Sequence, residues 1–131
     1  MSAPYVWRTR VYWEDTDGGG VVYYANYLKF LERARTEWLR ERGYSQAALA
    51  IDPGILFMVI GVNVEYHAPA RLDDLLAVSV QHEVDSRTTA SFVQQVRRDG
   101  DDARVLVDAR VRVVCVDSKS LRPRRIAEFF K

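Results

Sequence analysis

Residues 25–42 read ANYLKFLERARTEWLRER. Tyr27, Leu28, Leu31, Ala34, Trp38 and Leu39 recur at spacings of three and four, and Lys29, Glu32, Arg33, Thr36, Glu37, Arg40 and Glu41 fall largely between them. That period predicts an amphipathic helix over 25–42, with Gly43 as its C-terminal stop. At ~1.5 Å per residue such a helix runs roughly 27 Å, enough to lie across a sheet. The flanking sequence supplies the sheet. Tyr5 to Glu14 is rich in aromatic and β-branched residues and reads as a strand that Gly18, Gly19 and Gly20 then break. Beyond a loop ending at Asp52-Pro53-Gly54, strands are expected at Ile55–His67, Leu75–Val84, Thr88–Arg97 and Arg104–Val116, the last two joined by the turn Asp99-Gly100-Asp101-Asp102. In the final strand Val105, Val107, Ala109, Val111, Val113 and Cys115 share one face, and Leu106, Asp108, Arg110, Arg112 and Val114 share the other. The expectation is an α+β domain: an antiparallel sheet of about five strands with one long helix packed on it. So small a sheet leaves edge strands open, and dimerisation by edge pairing would close them.

Composition narrows the function. The chain has 131 residues, the size of one domain, and shows no linker, repeat or low-complexity tract, so a single domain over 1–131 is expected. A formal net charge of +1 gives bulk electrostatics no grip on nucleic acid. Cys115 is the single cysteine, so no intramolecular disulfide forms, which fits a reducing, cytoplasmic setting. The opening MSAPYVWRTRVYWEDTD has no apolar core and no cleavage pattern, so no secretory signal is expected. The longest nearly uncharged apolar stretch, Gly54 to Val64, is too short to span a bilayer, and stable membrane insertion is not expected.

The segment from Val11 to Trp38 carries the chemistry. Asp15 and Asp17 stand two apart, just before the three glycines and a helix start. In extended backbone they would point the same way, and two like charges so close repel unless one turns aside or finds a donor. The free N–H groups that open a helix, here near Tyr24 to Asn26, can bind an oxyanion. A carboxylate facing them makes two halves of an acyl-transfer site: a nucleophile or general base, and a donor for the carbonyl oxygen. The competing reading is turn chemistry, with an aspartate bonding its own backbone. Calcium binding is disfavoured, because Val21-Val22-Tyr23 supplies none of the further ligands an EF-hand loop needs.

These residues resemble a known family. Tyr12, Glu14-Asp15-Thr16-Asp17, Gly19-Gly20-Val21-Val22-Tyr23, Ala25-Asn26-Tyr27-Leu28, Glu32-Arg33-Ala34-Arg35-Thr36-Glu37 and the run Tyr66 to Leu76 (YHAPARLDDLL) are similar to the Tol-Pal-associated, YbgC-like acyl-CoA thioesterases, relatives of 4-hydroxybenzoyl-CoA thioesterase. The resemblance implies a hotdog fold, with the sheet wrapped around the long helix. It also implies homodimers or homotetramers with active sites between subunits, and an acyl-CoA or acyl carrier protein thioester as substrate. It needs no metal and no cofactor. It makes Asp17 the catalytic carboxylate and the backbone N–H of Tyr24 the group that polarises the carbonyl, with Gly19, Gly20, Val21 and Asn26 around the substrate. Two roles fit Asp17: attack on the thioester carbonyl, or activation of water. Many members carry histidine where this chain has Tyr24; the backbone donor survives that change, but any imidazole role is lost, and a phenol is a poor base at neutral pH.

The remaining candidates weigh less. His67 reads as a structural or surface residue and His82 as a packed one, and two distant histidines with one cysteine make no metal signature. Cys115 reads as a buried small hydrophobe. Glu32 is by default solvated, with an active-site or interface role implied by the family motif. Lys119, Arg122, Arg124 and Arg125 are either a solvated basic terminus or a grip on coenzyme A phosphates, with Arg71 a lesser candidate. Two rivals to the hydrolase are a noncatalytic hotdog acyl- or protein-binding module and a hotdog dehydratase; the latter would want a histidine that position 24 lacks.

Overall fold

The computed structural model describes residues 4–130, apart from the side chain of Phe129. The first three residues of the opening segment read above lie outside the described residues. Five strands form one antiparallel sheet: β1 (Tyr5–Arg10), β2 (Ile55–Tyr66), β3 (Leu75–Val84), β4 (Thr89–Arg98) and β5 (Val107–Asp117), in the order β1-β3-β4-β5-β2. The long helix α1 (Tyr27–Glu41) packs on one face, preceded by a 3₁₀ turn at Tyr24–Asn26. One sheet, one long helix and a shared core match the hotdog arrangement that the resemblance implies.

Three expectations need correction. The first strand ends at Arg10, not at Glu14, because Trp13–Asp15 closes into a 3₁₀ turn. The Asp15 carboxylate accepts the Tyr12 N–H at 2.8 Å, and the Asp15 N–H donates to the Tyr12 carbonyl at 3.0 Å. That local bonding competes with the ladder, as aspartate commonly does. A second helix, α2 (Gln46–Ile51), stands where a loop was expected. Its signal was present: Ser45 caps it, the hydroxyl accepting the Ala48 N–H at 3.2 Å. The last strand begins at Val107 rather than Arg104, and Leu106 turns inward to full burial. Its N–H donates to the Val96 carbonyl at 2.8 Å and its own carbonyl accepts from His67 and Ala68.

The buried stripe of α1 is Tyr27, Phe30, Leu31, Ala34, Trp38 and Leu39, so Phe30 takes the place expected of Leu28, which is exposed. On β5, Val107, Ala109, Val111, Val113 and Cys115 face the core as the alternation predicts. Edge strand β2 follows β5 through an irregularity. Phe57 and Val59 pair with Cys115 and Val113, while Val62, Val64 and Tyr66 pair with Val111, Ala109 and Val107. Ile60 is thus an extra residue, and the helix-side positions switch from odd to even across it. A Cβ on Gly61 would lie 2.6 Å from the Arg112 guanidinium, so glycine lets that side chain cross the bulge.

Candidate active site

The loop from Thr16 to Val22 doubles back on itself. Thr16 bridges Val22, the Asp17 N–H donates to the Val21 carbonyl at 2.9 Å, and Val21 bridges Arg71 on the far side. Glycine is required at the reversal. Gly20 adopts φ +79°, and a Cβ on Gly19 would meet Asp17 Oδ1 at 3.2 Å. The Gly19 N–H donates to that same oxygen at 2.7 Å.

Asp15 and Asp17 therefore part company. Asp15 is buried, with Oδ2 on the Tyr12 N–H and Oδ1 accepting the Asn26 side-chain amide at 3.0 Å. Asp17 is exposed; one oxygen is held by Gly19, and among the described residues the other has no partner. The turn chemistry weighed as a rival is thus present, and it orients the carboxylate without consuming it. Asn26 does not cap the helix; its amide is committed to Asp15.

The segment that opens the helix is uncapped. No side chain caps the Tyr24–Asn26 turn, and among the described residues the N–H groups of Tyr24 and Ala25 have no acceptor. Tyr66, at the end of β2, donates its phenol to the Tyr24 carbonyl at 2.9 Å and so fixes that peptide. Its ring lies 6.3 Å from that of Tyr24 and 5.7 Å from that of Tyr27. Tyr27 is buried, and its hydroxyl accepts the Ala70 N–H at 2.9 Å. Tyr66 was quoted in the sequence only as part of a run; nothing in the spacing ties it to position 24. An exposed acceptor-only carboxylate and unpaired N–H donors thus flank one short loop, the two kinds of group an acyl transfer uses.

The basic tail lies elsewhere. Arg124 donates to the carbonyls of Pro53 and Gly54, each at 3.0 Å, and stands 3.5 Å from Asp117, so it fastens the start of β2. Arg122 and Arg125 are exposed beside it. β2 is 12 residues long, so its rise of ~3.3 Å per residue sets this tail roughly 35 Å from Tyr66 within one chain. His67 pairs with Asp108 at 3.0 Å, and His82 packs at 4.9 Å from Trp38, as expected of structural histidines. Cys115 is fully buried, and burial pushes its thiol pKa up. Among the described residues no group of His, Cys, Asp and Glu could hold a metal ion. No helix there is long and apolar enough to cross a membrane. The cavities beside Tyr5, Arg35, Tyr44 and Gly61 lie elsewhere, and neither Asp17 nor Tyr24 lines them.

Comparison with known proteins places the chain in a family. The thioesterase-like superfamily model matches residues 11–131. The chain is 48% identical over 120 residues to the acyl-CoA thioester hydrolase YbgC of Escherichia coli O6:H1, covering 92% of this chain and 87% of that protein. It is 42% identical to the acyl-CoA thioesterase YbgC of Haemophilus influenzae, over 87% of this chain and 82% of that one. The crystal structure of a probable thioesterase from Bartonella henselae superposes with a TM-score of 0.87 at 31% identity, covering 95% of this chain and all of that one.

Proposed function

The chain belongs to the thioesterase-like superfamily, a thioester hydrolase by family, and on that premise we propose that it cleaves acyl-CoA to a free acid and coenzyme A. The observation that carries this reading is the carboxylate of Asp17, exposed and held by one oxygen, on the loop that leads into an uncapped helix start. The thioester carbonyl oxygen takes the Tyr24 N–H, where charge develops in the tetrahedral state. The unpartnered oxygen of Asp17 either attacks the carbonyl carbon or removes a proton from an attacking water. In both routes the C–S bond breaks, the thiolate leaves and takes up a proton, and water supplies the acid's second oxygen. Gly19 and Gly20 shape the turn, Val21 anchors it, and Asn26 holds Asp15 out of the way.

A second copy of the chain completes the site in this reading. Edge strand β2 exposes Met58, Val59, Ile60 and Val62, an apolar edge that self-pairing would cover. Antiparallel self-pairing sets the start of one β2 beside the end of the other. It brings the exposed Arg122 and Arg125 of one copy toward the Tyr24 and Asp17 of the other, where arginine suits coenzyme A phosphates. The phosphopantetheine arm of an acyl carrier protein is the alternative thiol. An acyl-CoA substrate would put the chain's work in the cytoplasm.

The test is thiol release from a panel of acyl-CoAs varying in length and ring content. Saturable release from at least one member supports the hydrolase. Tight binding without release on every member would favour the noncatalytic acyl-binding module instead.

A further inference from the structure

One cation interrupts the buried stripe of α1. Arg35 lies four residues after Leu31 and three before Trp38, both buried. It is half-buried, and its Nη1 donates to Gln94 Oε1 at 3.1 Å. Gln94 is fully buried and cannot swing away, because its amide nitrogen donates to the Leu31 carbonyl at 3.1 Å. The guanidinium carbon also sits 5.9 Å from the Phe92 ring centroid. Among the described residues no carboxylate comes within 4.0 Å of it. Burial pulls the guanidinium pKa below its ordinary value, and the exposed Glu32 acts the other way from a distance.

A guanidinium has five N–H donors, and a neutral amide cannot neutralise its charge. Charges withdrawn from water are normally paired, since an unpaired one is costly. Arg35 lines a cavity of about 230 Å³ walled by Phe57, Phe92, Val113 and Phe130, with Glu32 also on its lining. At ~30 Å³ per water-sized group the space admits about eight heavy atoms. The site therefore joins a chamber of limited size, with aromatic walls and Gln46 also on its lining, to a cation without a counterion. The chamber lies some eleven residues along the helix from Tyr24, or ~16 Å at 1.5 Å per residue, so it is separate from the proposed point of cleavage.

We propose that this cavity binds a small organic carboxylate, its acid group on Arg35 and its apolar body against Phe57, Phe92 and Phe130. Planar arginine matches a carboxylate with two parallel hydrogen bonds, and the aromatic walls accept either a short alkyl chain or one ring. This is the chemical class that thioester hydrolysis releases, but the binding does not depend on Asp17.

The test titrates hexanoate and benzoate, each against its neutral amide, into the intact protein and into the Asp17→Asn variant. Calorimetry gives the affinities, and the Arg35 Nε–H resonance gives the location. The expected result is that each acid binds at least about tenfold more tightly than its amide, in both proteins, and shifts that resonance. Arg35→Met should lose about tenfold in acid affinity and little for the amide, and Glu32→Gln should tighten acid binding by removing a like charge. Equal affinity for acid and amide, no saturable binding of either acid, or an unmoved Arg35 resonance would overturn the proposal. Should Arg35→Met fail to fold, the acid–amide pair on the native protein decides the question alone. Because the readout is binding, failure here is distinguishable from failure of the hydrolase reading.

Discussion

Asp15 gives both carboxylate oxygens to Tyr12 and Asn26, whereas Asp17 gives one to Gly19 and keeps the other. Replacing Asn26 with alanine would leave the buried Asp15 Oδ1 unpaired, a loss of about 2 kcal/mol in stability, read by urea unfolding. An unchanged midpoint would mean that water replaces the amide. The Tyr24 role belongs to its peptide, so its two obvious substitutions should separate. Tyr24→Phe keeps the N–H and should retain activity within a few-fold. Tyr24→Pro removes it and should lower kcat by about 10²- to 10³-fold, the usual loss of one oxyanion donor. The fold should tolerate that proline. Position 24 opens a helical turn, and Tyr23 already has φ −61° and ψ 129°, the extended conformation a residue before proline prefers. Comparable rates for the two variants would remove the Tyr24 N–H from the mechanism. At this scale the sequence located the aspartate pair but could not say how each would be held. The extended backbone that would aim both the same way gives out in the Trp13–Asp15 turn.

β1 and β2 are the two edge strands of the sheet, and the expected partner of the apolar β2 edge is another β2. Lysines at Met58 and Val62, one on each side of the Ile60 bulge, should split the assembly to single-chain mass in sedimentation velocity. The same change should depress turnover if the site needs both copies, while a wild-type protein already monomeric would remove that part of the account. The helix was readable because six apolar positions repeat at one period, and the strands because each is a run rich in apolar and β-branched residues bounded by turn signals, the last with a clean two-residue alternation. What escaped was local. The six-residue α2 is too short for a period to emerge, and its cap at Ser45 is its chief signal. The strand bulge at Ile60 leaves no mark in a run of apolar residues that reads equally well in either register.

Over the whole molecule, two core groups report on folding through their protons. Burial raises the pKa of the Cys115 thiol above its ordinary 9.0 and that of the Tyr27 phenol above 10.0, the latter despite the opposing bond from Ala70. In both the folded value exceeds the unfolded one, so the folded state holds the proton more tightly. The stability they contribute is therefore complete below pH about 9 and lost as pH rises through the folded values. Urea unfolding at pH 7 and pH 10 should show the protein weaker at the higher pH, with part of the loss absent in Cys115→Ala. Equal stability at the two values would contradict the sign. The overall architecture followed from periodicity and size, but two whole-molecule features did not. The distance of the basic tail from Tyr66 depends on the run of β2, and the Arg35 cavity depends on both helices, three strands and the C-terminal turn meeting around one side chain. Arg35 does fall on the buried stripe by spacing and inside the quoted helix motif, but neither mark says that it meets a cavity.

The central claim is that the free oxygen of Asp17 does the chemistry. Asparagine at position 17 preserves the acceptor that the Gly19 N–H needs, so Asp17→Asn should keep the wild-type unfolding midpoint while removing the charge. Thiol release from the best acyl-CoA substrate should then fall by about 10²- to 10⁴-fold in kcat. Release at the wild-type rate by the folded Asp17→Asn protein would contradict the account.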